Sequence, residues 1–279
     1  MNKMKLLFVV LMLCFSALAQ AQQNNTSSSL IKKFKQNSKI SLVANDDLVN
    51  DLNKSLNDVG TPAAEKSIIA ELLLMHYLEK GELLKFKKLY KKHLVFFNND
   101  LLKKYFWASL YSTYLGDYPK SLLASKSHLK EAKKSRDNDE LSKSYRLLAS
   151  SHMYLNNKDS SLHYSNLALN FARRSSSENA ILNTFKIQSE IFNHFGMIGQ
   201  STSVLIKFID QAEENRDYKN ICWGTIQIAE KSFQIRYYNE AKTYYRKALS
   251  IADKNNATFF KSNIYRGLAE VSLALQEEK

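Results

Sequence analysis

Residues 220–254 read NICWGTIQIAEKSFQIRYYNEAKTYYRKALSIADK. Apolar side chains recur there at three- and four-residue spacing on both sides of Arg236, the pattern of two amphipathic helices hinged at that residue. The pattern repeats along the chain. Forty residues before Ala229 stands Ser189, then Ala149 and Ser109, and forty after it Ala269. Tyr105, Tyr145, Phe185 and Tyr265 keep a second phase, interrupted at Thr225, while Leu129, Leu169, Ile209 and Leu249 keep a third and Ala132, Ala172, Ala212 and Ala252 a fourth. A fixed period of this length predicts an all-α superhelical solenoid of stacked helical hairpins, each burying its apolar face only against its neighbours.

Composition agrees. Of 279 residues, 44% are hydrophobic, enough to bury a core, and only seven are glycine and two proline, which leaves little material for strand turns. Outward from residues 220–254, the spacing predicts helices near 62–79, 82–97, 101–115, 118–135, 139–155, 158–175, 179–195, 199–215, 219–235, 238–254 and 258–275. Their hinges fall at Gly81, Gly116, Asn156, Gly196, Arg236 and Gln276. Thr61-Pro62 reads as a helix start, with Thr as cap and Pro in the first helical position. A further short helix is expected over 45–57, with Leu48, Val49, Leu52 and Leu56 on one side.

The first residues are of another kind. Lys3 and Lys5 precede an apolar run from Leu6 to Ala19, and small residues follow in A-x-A order at Ala17, Ala19 and Ala21, as in a secretory signal peptide over 1–21. The run is short of the roughly twenty residues a membrane span needs. The expected organisation is a signal peptide, a flexible polar leader over 22–60 containing the short helix, and a repeat domain over 61–279. The exported chain would be periplasmic or secreted and soluble. Without the leader, Cys222 is the one cysteine, which excludes an intrachain disulfide.

The units resemble tetratricopeptide repeats, in a long forty-residue form. Gly116-Asp117-Tyr118 matches the glycine-aspartate-aromatic hinge of that family, and Tyr145, Ala149, Ser161 and Ala168, then Ala229, Ala241, Tyr245 and Ala248, match its aromatic and small positions. Thr225, Phe208 and His128 depart from the pattern. The resemblance implies a protein- or peptide-binding scaffold that binds through a concave groove lined by the first helix of each hairpin. It places Lys103, Phe106 and Tyr114, then Lys143, Arg146, Met153 and Tyr154, and later Trp223, on that wall. Glu190 and Glu270 lie four residues after Lys186 and Arg266 and are expected to neutralise them, leaving Lys143 and Arg146 without an acidic partner.

Six histidines, His76, His93, His128, His152, His163 and His194, show no metal-ligand spacing, and no nucleophile motif or phosphate-binding glycine loop is present. Neither an enzyme nor a cofactor is expected. Between Lys80 and Arg136, fourteen Lys or Arg stand against four Asp or Glu, most of the total net charge of +13. Lys85, Lys88 and Lys92 share one side of a second helix, and Lys126, Lys130 and Lys134 run along the next. They form a basic surface suited to an anionic surface or acidic partner, but not, in an exported chain without interleaved aromatics, to nucleic acid. A second expectation from resemblance is the sensory portion of a bacterial membrane sensor-regulator, a transcriptional regulator or kinase.

Overall fold

The computed structural model describes residues 27–35, 46–98, 100–175, 177–255 and 257–277. The expected signal peptide lies outside them. Among the described residues there is no strand, and no helix is long and apolar enough to cross a membrane. The chain divides into two compact units, Met1–Phe97 and Asn98–Lys279.

The first unit contains α1 (27–35), α2 (Asp46–Asn57), α3 (Ala63–Glu79) and α4 (Leu83–His93), the last running into a 3-10 turn at Leu94–Phe97. Helix α1 departs from the expected featureless leader: its period places Ile31 and Phe34 on one face, both are buried, and Phe34 meets the His76 ring edge-on at 5.9 Å. In α2 the four anticipated residues, Leu48, Val49, Leu52 and Leu56, are those buried. Helix α3 starts one residue late, because Pro62 is itself the cap and the Thr61 hydroxyl turns back to Asp58 Oδ2 at 3.4 Å.

The second unit is a solenoid of hairpins: α5 (Leu101–Tyr114) with α6 (Tyr118–Ser135), α7 (Asn138–Tyr154) with α8 (Lys158–Ser175), α9 (Glu178–His194) with α10 (Ile198–Glu214), and α11 (Tyr218–Gln234) with α12 (Tyr238–Lys254). Helix α13 (Thr258–Glu277) follows them. Each helix packs on the next in sequence, and the first helices of neighbouring hairpins also touch, α5 on α7, α7 on α9, and α11 on α13. Gly116, Asn156, Gly196 and Arg236 have positive φ at the hinges, as Gly81 does in the first unit. Each hinge closes in the same way. At Gly196, its N–H donates to Asn193 O at 3.0 Å and the next N–H, of Met197, to Phe192 O at 2.7 Å, the bond pair that satisfies a helix C-terminus through a left-handed residue. Asp100, Asp117, Asp137, Ser177 and Asp217 cap the following helices by accepting backbone N–H groups.

Ser109, Ala149, Ser189 and Ala229 are buried, and so are Ala132, Ala172, Ala212 and Ala252, since only small side chains let helix axes approach at the hairpin contact. Two expectations fail at the end of the array. Ala269 is exposed, and Gln276 makes no hinge but lies inside α13.

Candidate functional site

The first helices α5, α7, α9 and α11 bring one set of polar and aromatic side chains onto one wall. Tyr114 at the end of α5 and Tyr154 at the end of α7 are 43% and 39% exposed. Tyr154 is held flat against Tyr118, with ring centroids 5.0 Å apart and an interplanar angle of 10°, and meets His194 edge-on at 6.5 Å. Burial, and after it the Glu190 carboxylate of α9, pushes the hydroxyl pKa of both tyrosines up. Glu190 touches solvent, yet the surrounding wall crowds it enough that desolvation raises its own pKa against the pull of Lys186 and Lys231.

Arg146, on α7 in the hairpin before that of Glu190, is half-buried. Its Nε has no hydrogen-bond partner, and it makes no ion pair among the described residues. Burial lowers its pKa to about 10 although Asp139 and Glu140 oppose the shift. Trp223 on α11 is half-buried, edge-on to Phe208 at 5.1 Å, with Lys186 Nζ 4.7 Å over its ring. Phe106 is likewise half-buried against Trp107, with Lys143 Nζ 5.7 Å from its centroid, and Lys103 sits in the first turn of α5, its N–H held by Asp100.

Three anticipated features are corrected. Met153 is buried, packed with Ala149 and Ile191, so it belongs to the core and not to the wall. Lys143 is not without an acidic partner, for its Nζ is 2.6 Å from Glu140 Oε1, one helical turn back. Nor does Lys186 pair with Glu190: its ammonium donates to Asn220 Oδ1 at 2.9 Å, leaving Glu190 with no ion pair among the described residues, while Arg266 and Glu270 do meet, at 3.9 Å. The sequence also concealed Lys231, which is 8% exposed and whose pKa burial lowers. A signal was present, because the same phase holds Ser151, Ile191 and Val271, all buried, so a lysine there was bound to be enclosed.

The basic surface is less uniform than its charge count. Lys85 is 2.9 Å from Glu82, Lys92 Nζ donates to Asn57 Oδ1 at 2.5 Å, and Lys134 is 2.7 Å from Glu131. Lys88, Lys126 and Lys130 carry no ion pair among the described residues.

One arrangement imitates catalytic chemistry. Ser144 Oγ lies 2.6 Å from His128 Nδ1, and His128 Nε2 lies 3.5 Å from Glu140 Oε2, in the order nucleophile, base, acid. Both Ser144 and His128 are fully buried between α6 and α7, so no substrate atom reaches the hydroxyl. Among the described residues, no group of three or more His, Cys, Asp or Glu is placed to hold a metal ion.

No protein-family model matches the chain, and no curated protein matches it in sequence. Solved structures do. The chain is similar to a Signal Transduction ATPase with Numerous Domains (STAND) protein with a tetratricopeptide repeat sensor from Pyrococcus horikoshii, with a TM-score of 0.61 and 16% identity over 82% of this chain and 36% of that one. It is similar also to aspartyl phosphate phosphatase F from Bacillus subtilis, with a TM-score of 0.58 and 13% identity over 92% of this chain and 70% of that one. A third is a Rap protein complexed with Competence and Sporulation Factor, with a TM-score of 0.53 and 13% identity over 91% and 74%. The chain thus spans little more than a third of the STAND protein. At these identities the likeness is one of fold, and the fold is that of a tetratricopeptide-type helical-repeat solenoid.

Proposed function

We propose that the chain is an exported, non-catalytic scaffold, an array of forty-residue tetratricopeptide-type units that binds a peptide or protein segment along the wall made by α5, α7, α9 and α11. The observation that carries this reading is Arg146. A guanidinium lowered to a pKa of about 10 by burial, with no ion pair of its own, is a costly arrangement for a protein alone. A ligand carboxylate would offset that cost with a bidentate contact. Tyr154, two turns after Arg146 on α7, and Tyr114 on α5 supply flat anchors farther along the helices, and aromatics and arginines dominate binding energy where a partner desolvates them. Glu190, exposed on the next first helix, α9, would take a ligand cation or amide.

The test is affinity for peptides selected by display against the chain from residue 22 onward. Arg146→Ala and Tyr154→Ala should each weaken binding by at least about thirtyfold at unchanged helicity. Wild-type affinity in both variants would move the binding surface off this wall. A second reading, the sensory portion of a larger regulator, is favoured by the likeness to the STAND protein, whose repeats are described as a sensor. Reading the gene beyond codon 279 for a membrane segment and an output domain decides between the two.

A further inference from the structure

We infer that the second unit carries another binding site, a lysine-rimmed apolar pocket beside α6, for an acidic peptide segment bearing one large apolar side chain. The pocket has a volume of about 230 Å³ and is lined by Lys126, Leu129, Lys130, Lys133, Leu148 and Tyr164. Lysines at i, i+4 and i+7 project from one side of α6. None of the three makes a hydrogen bond or ion pair among the described residues, and all are exposed. Lys134, although grouped with Lys126 and Lys130 by sequence spacing, is held by Glu131 at 2.7 Å and does not line the pocket. The structure therefore moves the basic cluster by one residue and gives it a floor.

That floor is apolar and stiff. Leu148 is 1% exposed and part of the core of α7, and Leu129 is half-buried. The Tyr164 ring is fixed by stacking on His152 at 5.3 Å and Tyr145 at 6.2 Å. Three uncompensated ammonium groups around such a floor call for a ligand that is anionic at its edges and apolar in the middle. Free phosphate would meet the lysines and leave the floor empty. A membrane headgroup region calls for apolar groups that protrude, whereas these are recessed. An aliphatic or aromatic side chain flanked by Asp or Glu meets both demands, with the side chain desolvating Leu129, Leu148 and Tyr164 and the carboxylates reaching the lysines. This inference is independent of the groove, since its lysines, Leu129 and Tyr164 come from α6 and α8, and Leu148 of α7 is buried in the core and no part of the wall that holds Arg146.

Fluorescence anisotropy with a dye-labelled Gly-Asp-Glu-Phe-Glu-Asp-Gly peptide tests it at low salt. Binding should weaken at least about tenfold in the combined Lys126→Gln/Lys130→Gln/Lys133→Gln variant, and about as much when Phe in the peptide is replaced by Ala. It should also fall as ionic strength shortens the screening length toward about 8 Å. Lys134→Gln should stay within about twofold of wild type, with unchanged circular dichroism throughout. The inference is overturned if wild type does not bind, or if Lys134→Gln weakens binding as much as the triple variant, which would indicate a diffuse basic face. It is equally overturned if the Ala peptide binds as well as the Phe peptide, or if inorganic phosphate or anionic phospholipid vesicles occupy the site and the peptide does not.

Discussion

Phe208 occupies a repeat phase held elsewhere by His128, Ala168 and Ala248, and all four are fully buried. Sixteen residues on, at the start of the next helix pair, the corresponding residues are Gly224, Ser144, Thr184 and Ile264. The largest side chain is matched by the smallest. A Cβ on Gly224 would come within 2.8 Å of Ile209 Cγ1 and 3.0 Å of the Phe208 ring, and His128 Nδ1 instead shares a hydrogen bond with Ser144 Oγ, which itself donates to Glu140 O. Gly224→Ala should therefore destabilise the protein by about 1–3 kcal/mol, despite the gain of about 1 kcal/mol in helix propensity that Ala brings. Phe208→Ala should cost about 3–5 kcal/mol, and Phe208→Ala/Gly224→Thr, which restores the Ala168–Thr184 combination, should be more stable than Phe208→Ala alone. Strict additivity in urea melts would sever the two positions. His128 makes a second prediction. Burial, with Lys143 and Arg146, lowers its pKa from 6.5 to about 4 against the pull of Asp100; Glu140 lies beside it but is held by Lys143. The unfolded chain binds this proton first, so stability is intact above pH 6.5 and falls by about 3 kcal/mol as pH drops toward 4. His128→Gln should flatten the Tm profile over that window, with a smaller slope remaining from His93, which titrates there too. The departures from the family pattern at 128 and 208 were visible in the sequence. Their compensation was not, because it lies between two helices whose facing became known only with the fold.

Helices were the legible level. The spacing located both ends of α6, α8 and α12 as found, and placed the other helices of the second unit within a residue or two, because a left-handed hinge needs a residue tolerant of positive φ and the period shows where it must fall. Gly116 and Gly196 satisfy that need without strain, whereas Asn156 and Arg236 accept it, having φ of 60° and 64°. Arg236→Gly should accordingly stabilise the α11–α12 hairpin, by up to about 1 kcal/mol, less the entropy that glycine releases on unfolding. A drop in Tm would show that the Arg236 side chain contributes more than its backbone costs. The register makes the opposite prediction for the helix contact: Ala229→Leu and Ala241→Leu, both at fully buried positions, should each lose about 1–3 kcal/mol as extra methylenes force the helices apart. Where a helix had no period to extrapolate, as in 27–35, its polar composition hid an apolar face of two residues, Ile31 and Phe34. Side-chain pairing was still less legible. Glu140 reaches Lys143 and Asn220 reaches Lys186, and nothing in a one-dimensional period distinguishes the partner one turn back or on the next hairpin from the one four residues ahead.

At the scale of the whole second unit, the same hairpin is joined to its neighbours in two different ways. From α5 to α8 the interfaces are hydroxyl-rich. Ser109 meets Ser121 and Ser125 at 3.2 and 2.8 Å, both of those meet Ser151 at 3.0 and 3.1 Å, and Ser142 and Ser161 donate to the Ala168 and Ala149 carbonyls at 3.0 Å. From α9 to α11 one buried hydroxyl pair remains, Ser189 with Ser201 at 2.9 Å, and the contact is otherwise aliphatic and aromatic, a continuous cluster that includes Leu182, Phe185, Val204, Leu205, Phe208, Ile209, Ile221 and Ile228. A hydrogen bond between buried hydroxyls nets about 0.5–1.5 kcal/mol, whereas a fully buried Leu, Ile or Phe side chain contributes about 1.5–3 kcal/mol. In an array whose stability is a sum of unit and neighbour terms, the difference is expressed locally and not averaged away. Native-state hydrogen exchange should therefore find the α9–α11 amides the most protected in the unit, with α5–α8 opening at least about tenfold more often. The proposed ligand sites give this gradient a use. Arg146, Tyr114 and Tyr154, together with the pocket beside α6, all lie on the softer helices, where small serine-lined contacts can adjust to a ligand while the aliphatic block beyond them stays rigid. Adding a groove-bound peptide should then raise protection chiefly in α5–α8. Equal protection across α5–α11 before ligand, or a ligand effect confined to α10 and α12, would remove the link between how the hairpins are joined and where the chain binds.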